Sequence, residues 1–206
     1  MVFDVEGVLV DGEFLPSLAA LVGREEEARK ITYAGIKGEI DWEEGLKQRV
    51  ELVKGVRYEE CVRIANSLPL MKGADEAIKE IKDMDAIIVG VSGGFSLLGE
   101  RVKEELGLDH VFSNQLVFHN GKLIGYGLLV NANKSLILRS AFGGLLESHK
   151  KVAVIDGAND LDLFKMVDHR IAFNAQPIVT KEAHTVITEK DLTQVSRVIK
   201  GLHRYA

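Results

Sequence analysis

Acidic residues cluster just past the ends of two short apolar runs. Asp4 and Glu6 follow Met1–Phe3, with Gly7 behind them to let the backbone turn away, and Asp156 and Asp160 follow Val152–Ile155 in the run Asp156-Gly157-Ala158-Asn159-Asp160. Alone, Asp-x-Glu reads as a pair of solvated loop acids, and Asp160 reads as the N-cap of a helix carrying Leu161, Phe164 and Val167. Converged on one rim, four carboxylates repel by roughly 4 kcal/mol per pair at 4 Å in a medium of effective dielectric 20, so they call for a cation. Every candidate ligand is an oxygen, which selects a hard ion, and Mg²⁺ suits a site that also receives phosphate. The six histidines never approach within fewer than nine positions of one another and form no HxxH or HxH pair, so a zinc site has little support.

Two further features could bind an anion. Ser92-Gly93-Gly94 joins an apolar run to a helix marked by Leu98, Val102 and Leu106 and closed by Gly107. Glycines at a helix N-terminus expose backbone N–H groups beside the positive end of the dipole, and a serine hydroxyl there can donate to a phosphate oxygen, although a tight turn with an N-cap reads equally well. Lys134, in Asn131-Ala132-Asn133-Lys134, is by itself as compatible with solvated surface as with an anion site.

The elements that must position these residues are legible as a pattern. Met1–Phe3, Ala86–Val91, Val152–Ile155, Arg170–Phe173 and Thr185–Ile187 read as strands alternating with helical stretches, which predicts an α/β fold with a mainly parallel sheet. In such sheets the ligand site lies beyond the carboxyl ends of the strands, where all of these residues fall. About seventy residues between the first two strands carry no strand signal and read as three or four helices. We therefore expect a core of residues 1–12 and 71–206, a helical cap over 13–70, and a small β-hairpin over 115–127 turning at Asn120-Gly121 as a type I′ turn would.

Composition narrows the class. The 206 residues are 46% hydrophobic and 28% charged with a net charge of −5 and no basic run, so the chain is a folded globular protein with no general affinity for nucleic acid or anionic lipid. No apolar run approaches the roughly 18 residues of a membrane helix, and no basic, apolar leader precedes Asp4. The single cysteine, Cys61, excludes an intrachain disulfide and reads as a small buried hydrophobe in a reducing compartment; a soluble cytoplasmic protein is expected. The stretch Leu192–Arg204 reads as a helix packed on the core.

Asp4, Ser92, Lys134 and Asp156 in that chain order, with Asp156-Gly157-Ala158-Asn159-Asp160 around the last, resemble the four motifs of the haloacid dehalogenase superfamily of phosphotransfer enzymes. With Ser92-Gly93-Gly94-Phe95, Leu106-Gly107-Leu108-Asp109 and the Asn120-Gly121 hairpin, the likeness extends over nearly the whole chain to its phosphoserine phosphatase family. The resemblance implies a Rossmann-like core with a small helical cap inserted after its first motif, and a Mg²⁺-dependent phosphomonoesterase that converts phosphoserine to serine and phosphate through an aspartyl-phosphate. Asp4 would be the nucleophile and Glu6 the general acid and base. Mg²⁺ would be held by Asp4, Asp156 and the backbone carbonyl of Glu6, with Asp160 supporting through water. Ser92, Gly93, Lys134 and Asn159 would hold the phosphoryl oxygens.

Substrate choice would come from the cap. On a helix starting near Asp41, Trp42, Leu46, Val50 and Val53 fall within a stripe of about 80° and Arg49 lies about 20° from Trp42, so the guanidinium points inward and needs an anion, either a neighbouring acid of the cap, the common structural case, or a substrate carboxylate. By the resemblance Arg49 would bind a serine carboxylate, Glu13 its ammonium, and Ile36 and Trp42 would close over it. The chain departs from the family at Glu6 in place of Asp, Gly7-Val8 in place of a Ser-Thr type pair, Ile155 in place of a Gly, and Ile36 and Trp42 in place of Met and Phe. The alternatives are another small phosphomonoester as substrate, a receiver-type phospho-acceptor domain, whose acids and Lys come in another order and which has no such cap, and a metabolite-binding relative, which would have lost the nucleophile or Lys134.

Overall fold

The structure is a computed structural model, and it describes residues 1–204. Strands β1 (Val2–Phe3), β2 (Val89–Phe95), β3 (His110–His119), β4 (Lys122–Gly127), β5 (Val152–Ile155), β6 (His169–Phe173) and β7 (Thr185–Ile187) form one seven-stranded sheet in the order β4-β3-β2-β1-β5-β6-β7. Every neighbouring pair is parallel except β3 with β4. The chain runs outward from β1 on one side through β2 and β3, then returns to lay β5 against its other edge. That reversal makes the crevice above β1 and β5 the topological switch point, where open α/β sheets bind ligands.

Helices α1 (Phe14–Ala20), α2 (Glu25–Ile36), α3 (Trp42–Val53), α4 (Tyr58–Ser67) and α5 (Ala74–Lys82) separate β1 from β2. The segment read as three or four helices thus holds five, four of them within residues 13–70. After β2 comes α6 (Ser96–Leu106), ended by Gly107 at φ +66. Helices α7 (Lys134–Phe142) and α8 (Leu145–Ser148) precede β5, a 3₁₀ turn over Ala158–Asp160 leads into α9 (Leu161–Phe164), and α10 (Pro177–Glu182) and α11 (Thr193–Arg204) complete the chain. Two clusters of buried apolar side chains, one containing Phe3, Val154 and Phe173 and the other Val91, Ala153 and Ile155, cover the sheet on both faces. Two-sided burial explains the continuous apolar strands. No helix among the described residues is long and apolar enough to cross a membrane.

Local signals account for the element ends. Asp41 accepts from the N–H of Glu44 at 3.0 Å and starts α3 where the stripe of apolar residues begins. Asn120 and Gly121 take φ +48 and +72, both left-handed as a type I′ turn requires, and the hairpin pairs Gln115 with Gly127 at its far end. Cys61 is fully buried.

Three expectations change. The second strand begins at Val89, not Ala86, and continues through Ser92-Gly93-Gly94 to Phe95, so this triplet is a distortion inside a strand and not the turn after it. The first half of β3 was not expected as strand at all: His110–Phe112 extends the parallel sheet before the same strand turns into the hairpin. Asp160 sits at the N-cap position of α9 without capping it, because its side chain is drawn to Lys134 instead.

Candidate active site

The switch point brings together acids that are far apart in the chain. Phe3 pairs with Val154, and the N–H of Asp4 donates to the Val154 carbonyl at 3.1 Å, so Asp4 and Asp156 emerge side by side from neighbouring strands. Oxygens of Asp4, Asp156 and Asp160 all lie within 4.8 Å of one another. Glu6 is not in this cluster, so three side-chain carboxylates converge where four were expected. Its Oε2 turns away to accept the N–H of Phe14 at 2.7 Å, at the entry to α1.

Lys134 is the counter-charge. The residue is 3% exposed, and its ammonium lies 2.7 Å from Asp4 Oδ1 and 2.8 Å from Asp160 Oδ1. Asp4 Oδ1 also accepts from Val5 N–H at 2.8 Å, and Asp160 Oδ1 from the Asn159 side chain at 2.7 Å. One ammonium between three acids leaves negative charge in excess. Burial first, then the charge of Asp4, pushes the Asp156 carboxyl up to about 8. Burial and Asp4 likewise drive Asp160 well above the usual carboxylate range, against the pull of Lys134. Burial alone would lower Lys134, but the charges and hydrogen bonds of Asp160 and Asp4 outweigh it and raise the ammonium's pKa.

The donor set fits a hard divalent cation. Asp160 Oδ2 is buried with no hydrogen-bond partner, and the three carboxylates supply only oxygen. Gly7, at φ +84, carries the backbone so close over Asp156 that a Cβ there would stand 2.2 Å from Asp156 Oδ2. A side chain at this position would occupy the acid's own place.

Above the acids is a small, partly open cavity of about 70 Å³. Asp4, Glu6, Lys134, Asp156 and Asn159 form its floor, Ser92, Gly93 and Gly94 one wall, and Glu13, Thr32, Trp42 and Arg49 from the inserted helices the roof. Ten of the expected site residues thus meet in one space. Asp160 lies behind the floor, fully buried. Ile36 ends α2, and its side chain falls outside the described residues.

The wall is tightly fitted. Opposite β3, Val91 pairs with Phe112 and Phe95 with Asn114, so Ser92, Gly93 and Gly94 bulge against a single residue. A Cβ on Gly94 would lie 1.9 Å from Glu6 Oε1, and one on Gly93 2.6 Å from the Trp42 ring. The absence of side chains here is what lets Glu6 and Trp42 approach.

In the roof, Arg49 donates to the Gly45 carbonyl at 3.1 Å and to the Thr32 hydroxyl at 3.3 Å, with no ion-pair partner among the described residues. Burial lowers its pKa, countered by Glu6 and Glu13. Burial, reinforced by Glu6 and Asp156, raises Glu13 well above the usual range, and burial also raises Glu6 despite the Phe14 N–H and Arg49. Two residues of this arrangement escaped the sequence reading. Thr32 steadies Arg49, and the fully buried Asn114 bonds the Gly93 carbonyl. For Asn114 the signal was weak, since it stands in the polar run Ser113-Asn114-Gln115. For Thr32 there was none.

Comparison with known proteins agrees with this geometry. The haloacid dehalogenase-like hydrolase family profile matches residues 1–168. A phosphoserine phosphatase of Methanocaldococcus jannaschii is 35% identical over 97% of this chain and 97% of its own, and one of Wolinella succinogenes is 37% identical over 94% and 96%. A solved phospho-aspartyl intermediate analogue of phosphoserine phosphatase superposes with a TM-score of 0.89 at 34% identity, covering 96% of each chain. The switch-point acids, the lysine between them and this likeness over nearly the full length of both chains make the protein a member of the phosphoserine phosphatase family of haloacid dehalogenase-like hydrolases.

Proposed function

We propose that the chain is a phosphoserine phosphatase, hydrolysing phosphoserine to serine and phosphate through an aspartyl-phosphate on Asp4. The observation that carries the substrate is Arg49: a guanidinium without an acid partner among the described residues, roofing the cavity whose floor holds Asp4. A buried cation in that state suits a ligand carboxylate. The cavity, about 70 Å³, is far below the few hundred Å³ of a drug-sized pocket, which favours a free small molecule over a phosphoprotein.

In this reading residues 13–70 act as a cap over a core of 1–12 and 71–206, and the enzyme works in the cytoplasm. Asp4, Asp156, Asp160 and the Glu6 carbonyl would hold Mg²⁺, which when bound offsets charge on the acids and on the phosphate dianion. Lys134 and the Val5 N–H hold the Asp4 carboxylate, which attacks phosphorus as the bond to the serine oxygen breaks. Glu6, raised toward its neutral form, gives its proton to that departing oxygen. With Oε2 engaged by Phe14, Oε1 over Gly94 is the oxygen that carries the proton. The resulting carboxylate then takes a proton from water, the water oxygen attacks phosphorus, and the bond to Asp4 breaks to release phosphate. Ser92, Gly93, Lys134 and Asn159 hold the phosphoryl oxygens, while Glu13, Arg49 and Trp42 receive the amino-acid end.

Phosphate release from a panel of small phosphomonoesters, with and without Mg²⁺, tests the reading. Phosphoserine should give the highest kcat/KM. A clear preference for an ester lacking the carboxylate would replace phosphoserine with another small phosphomonoester.

A further inference from the structure

We propose that Asn114 is a positioning residue for the phosphoryl pocket, holding the Ser92-Gly93-Gly94 bulge and the segment that leads to Lys134 in register with each other. The inference rests on the reading of this cavity as a phosphoryl site.

Three residues of β2 face one of β3 across the bulge, so this backbone lacks a regular ladder, and two of the three are glycines, which by themselves hold no conformation. Asn114 Nδ2 donates to the Gly93 carbonyl at 2.9 Å. That carbonyl shares a rigid plane with the Gly94 N–H, which donates to Ser92 Oγ at 2.9 Å. The peptide between the glycines is clamped at both edges. Ser92 Oγ thereby accepts a hydrogen bond and keeps its single proton for an acceptor in the cavity.

The other end of the same carboxamide serves Lys134. Asn114 Oδ1 accepts from Leu129 N–H at 2.7 Å and Val130 N–H at 2.8 Å, a few residues before Lys134 begins α7. Asn114 is fully buried, where an amide is costly unless satisfied and an apolar residue of similar size would pack as well. Its bonds lead to two elements of the phosphoryl pocket.

The test is the affinity for inorganic phosphate, measured by calorimetry with Mg²⁺ present, together with kcat/KM for phosphoserine and an aryl phosphate. Asn114→Leu removes all three bonds. Asn114→Asp keeps the shape, and its neutral acid can still donate to Gly93 while its ionised form cannot. Both variants should bind phosphate about tenfold more weakly or worse, and both esters should lose kcat/KM in the same proportion, since the Arg49 end is untouched. The deficit of Asn114→Asp relative to wild type should widen as pH rises. A core variant of matched melting temperature, such as Ile81→Val, should bind phosphate as wild type does.

Wild-type phosphate affinity in a folded Asn114→Asp at every pH overturns the proposal. So does a loss that Ile81→Val reproduces at equal melting temperature. Should Asn114→Leu fail to fold, the pH dependence of Asn114→Asp decides alone. A wild type that binds phosphate but does not cleave phosphoserine would defeat the substrate assignment while leaving the role of Asn114 to be read from phosphate binding.

Discussion

Lys134 Nζ lies 2.7 Å from Asp4 Oδ1, a contact between side chains 130 positions apart and exposed to only 4% and 9%. The ammonium also reaches Asp160, so it ties Asp4 to the acid behind it. Asp4→Asn should keep the Lys134–Asp160 pair and the fold while phosphate release falls at least a hundredfold, the usual scale for losing a catalytic group. Lys134→Met should also destabilise, by about 3–5 kcal/mol, because it strands buried acids. Chemical denaturation alongside turnover separates the two effects. Activity above a few per cent in Asp4→Asn would exclude it as nucleophile.

The acid cluster gives the metal-free protein a signed dependence on pH. Asp156 ionises at about 8 in the fold against 3.8 as the ordinary value, so between these values the folded state holds the extra proton and stability falls as pH rises. Thermal melts in chelator should therefore drop by several degrees from pH 5 to pH 8. Mg²⁺ should restore more stability at pH 8 than at pH 5, since it competes with that proton. An equal Mg²⁺ gain at both values would remove Asp156 from the metal site.

Gly94 and Glu6 should behave as one functional unit. Gly94→Ala places a methyl 1.9 Å from Glu6 Oε1 and must displace it. Both Gly94→Ala and Glu6→Gln should slow phosphoserine much more than an aryl phosphate, because only the alkoxide needs a proton as it leaves. Single-turnover rates on the two esters decide this. Equal losses would make Glu6 structural.

Arg49→Ala should lower kcat/KM for phosphoserine by roughly ten- to 150-fold, the range for a charge-assisted hydrogen bond of about 1.5–3 kcal/mol, and touch an aryl phosphate far less. Thr32→Val should show the same selectivity at smaller size, since it removes only the hydroxyl that accepts from Arg49. Proportional losses on both esters would make Arg49 part of the cap's internal packing.

The sequence made the acids and the helices between β1 and β2 legible because their signals are local. Val152–Ile155 and Thr185–Ile187 are strands with the expected bounds, Asp41 caps α3, and the α3 stripe turns Leu46, Val50 and Val53 into the core with Arg49 at its edge. What escaped depends on pairing across space. Ser92-Gly93-Gly94 looks like a turn until β3 is placed beside it, and His110–Phe112 is too short to stand out without β2. Asp160 has the sequence of a helix cap, and only Lys134, far away in the chain, draws it into the site. Asn114 and Thr32 act on partners that no spacing rule connects to them.

Strand β1 is two residues long and runs through the middle of the sheet, paired with β2 on one edge and β5 on the other. The amide that carries Asp4 is bonded to Val154 at the heart of this arrangement, so hydrogen exchange at that position should occur only through global unfolding. Asp4, the proposed nucleophile, should therefore lie in the most slowly opening part of the molecule. Loosening of the helices that roof the cavity would admit a substrate without disturbing that carboxylate.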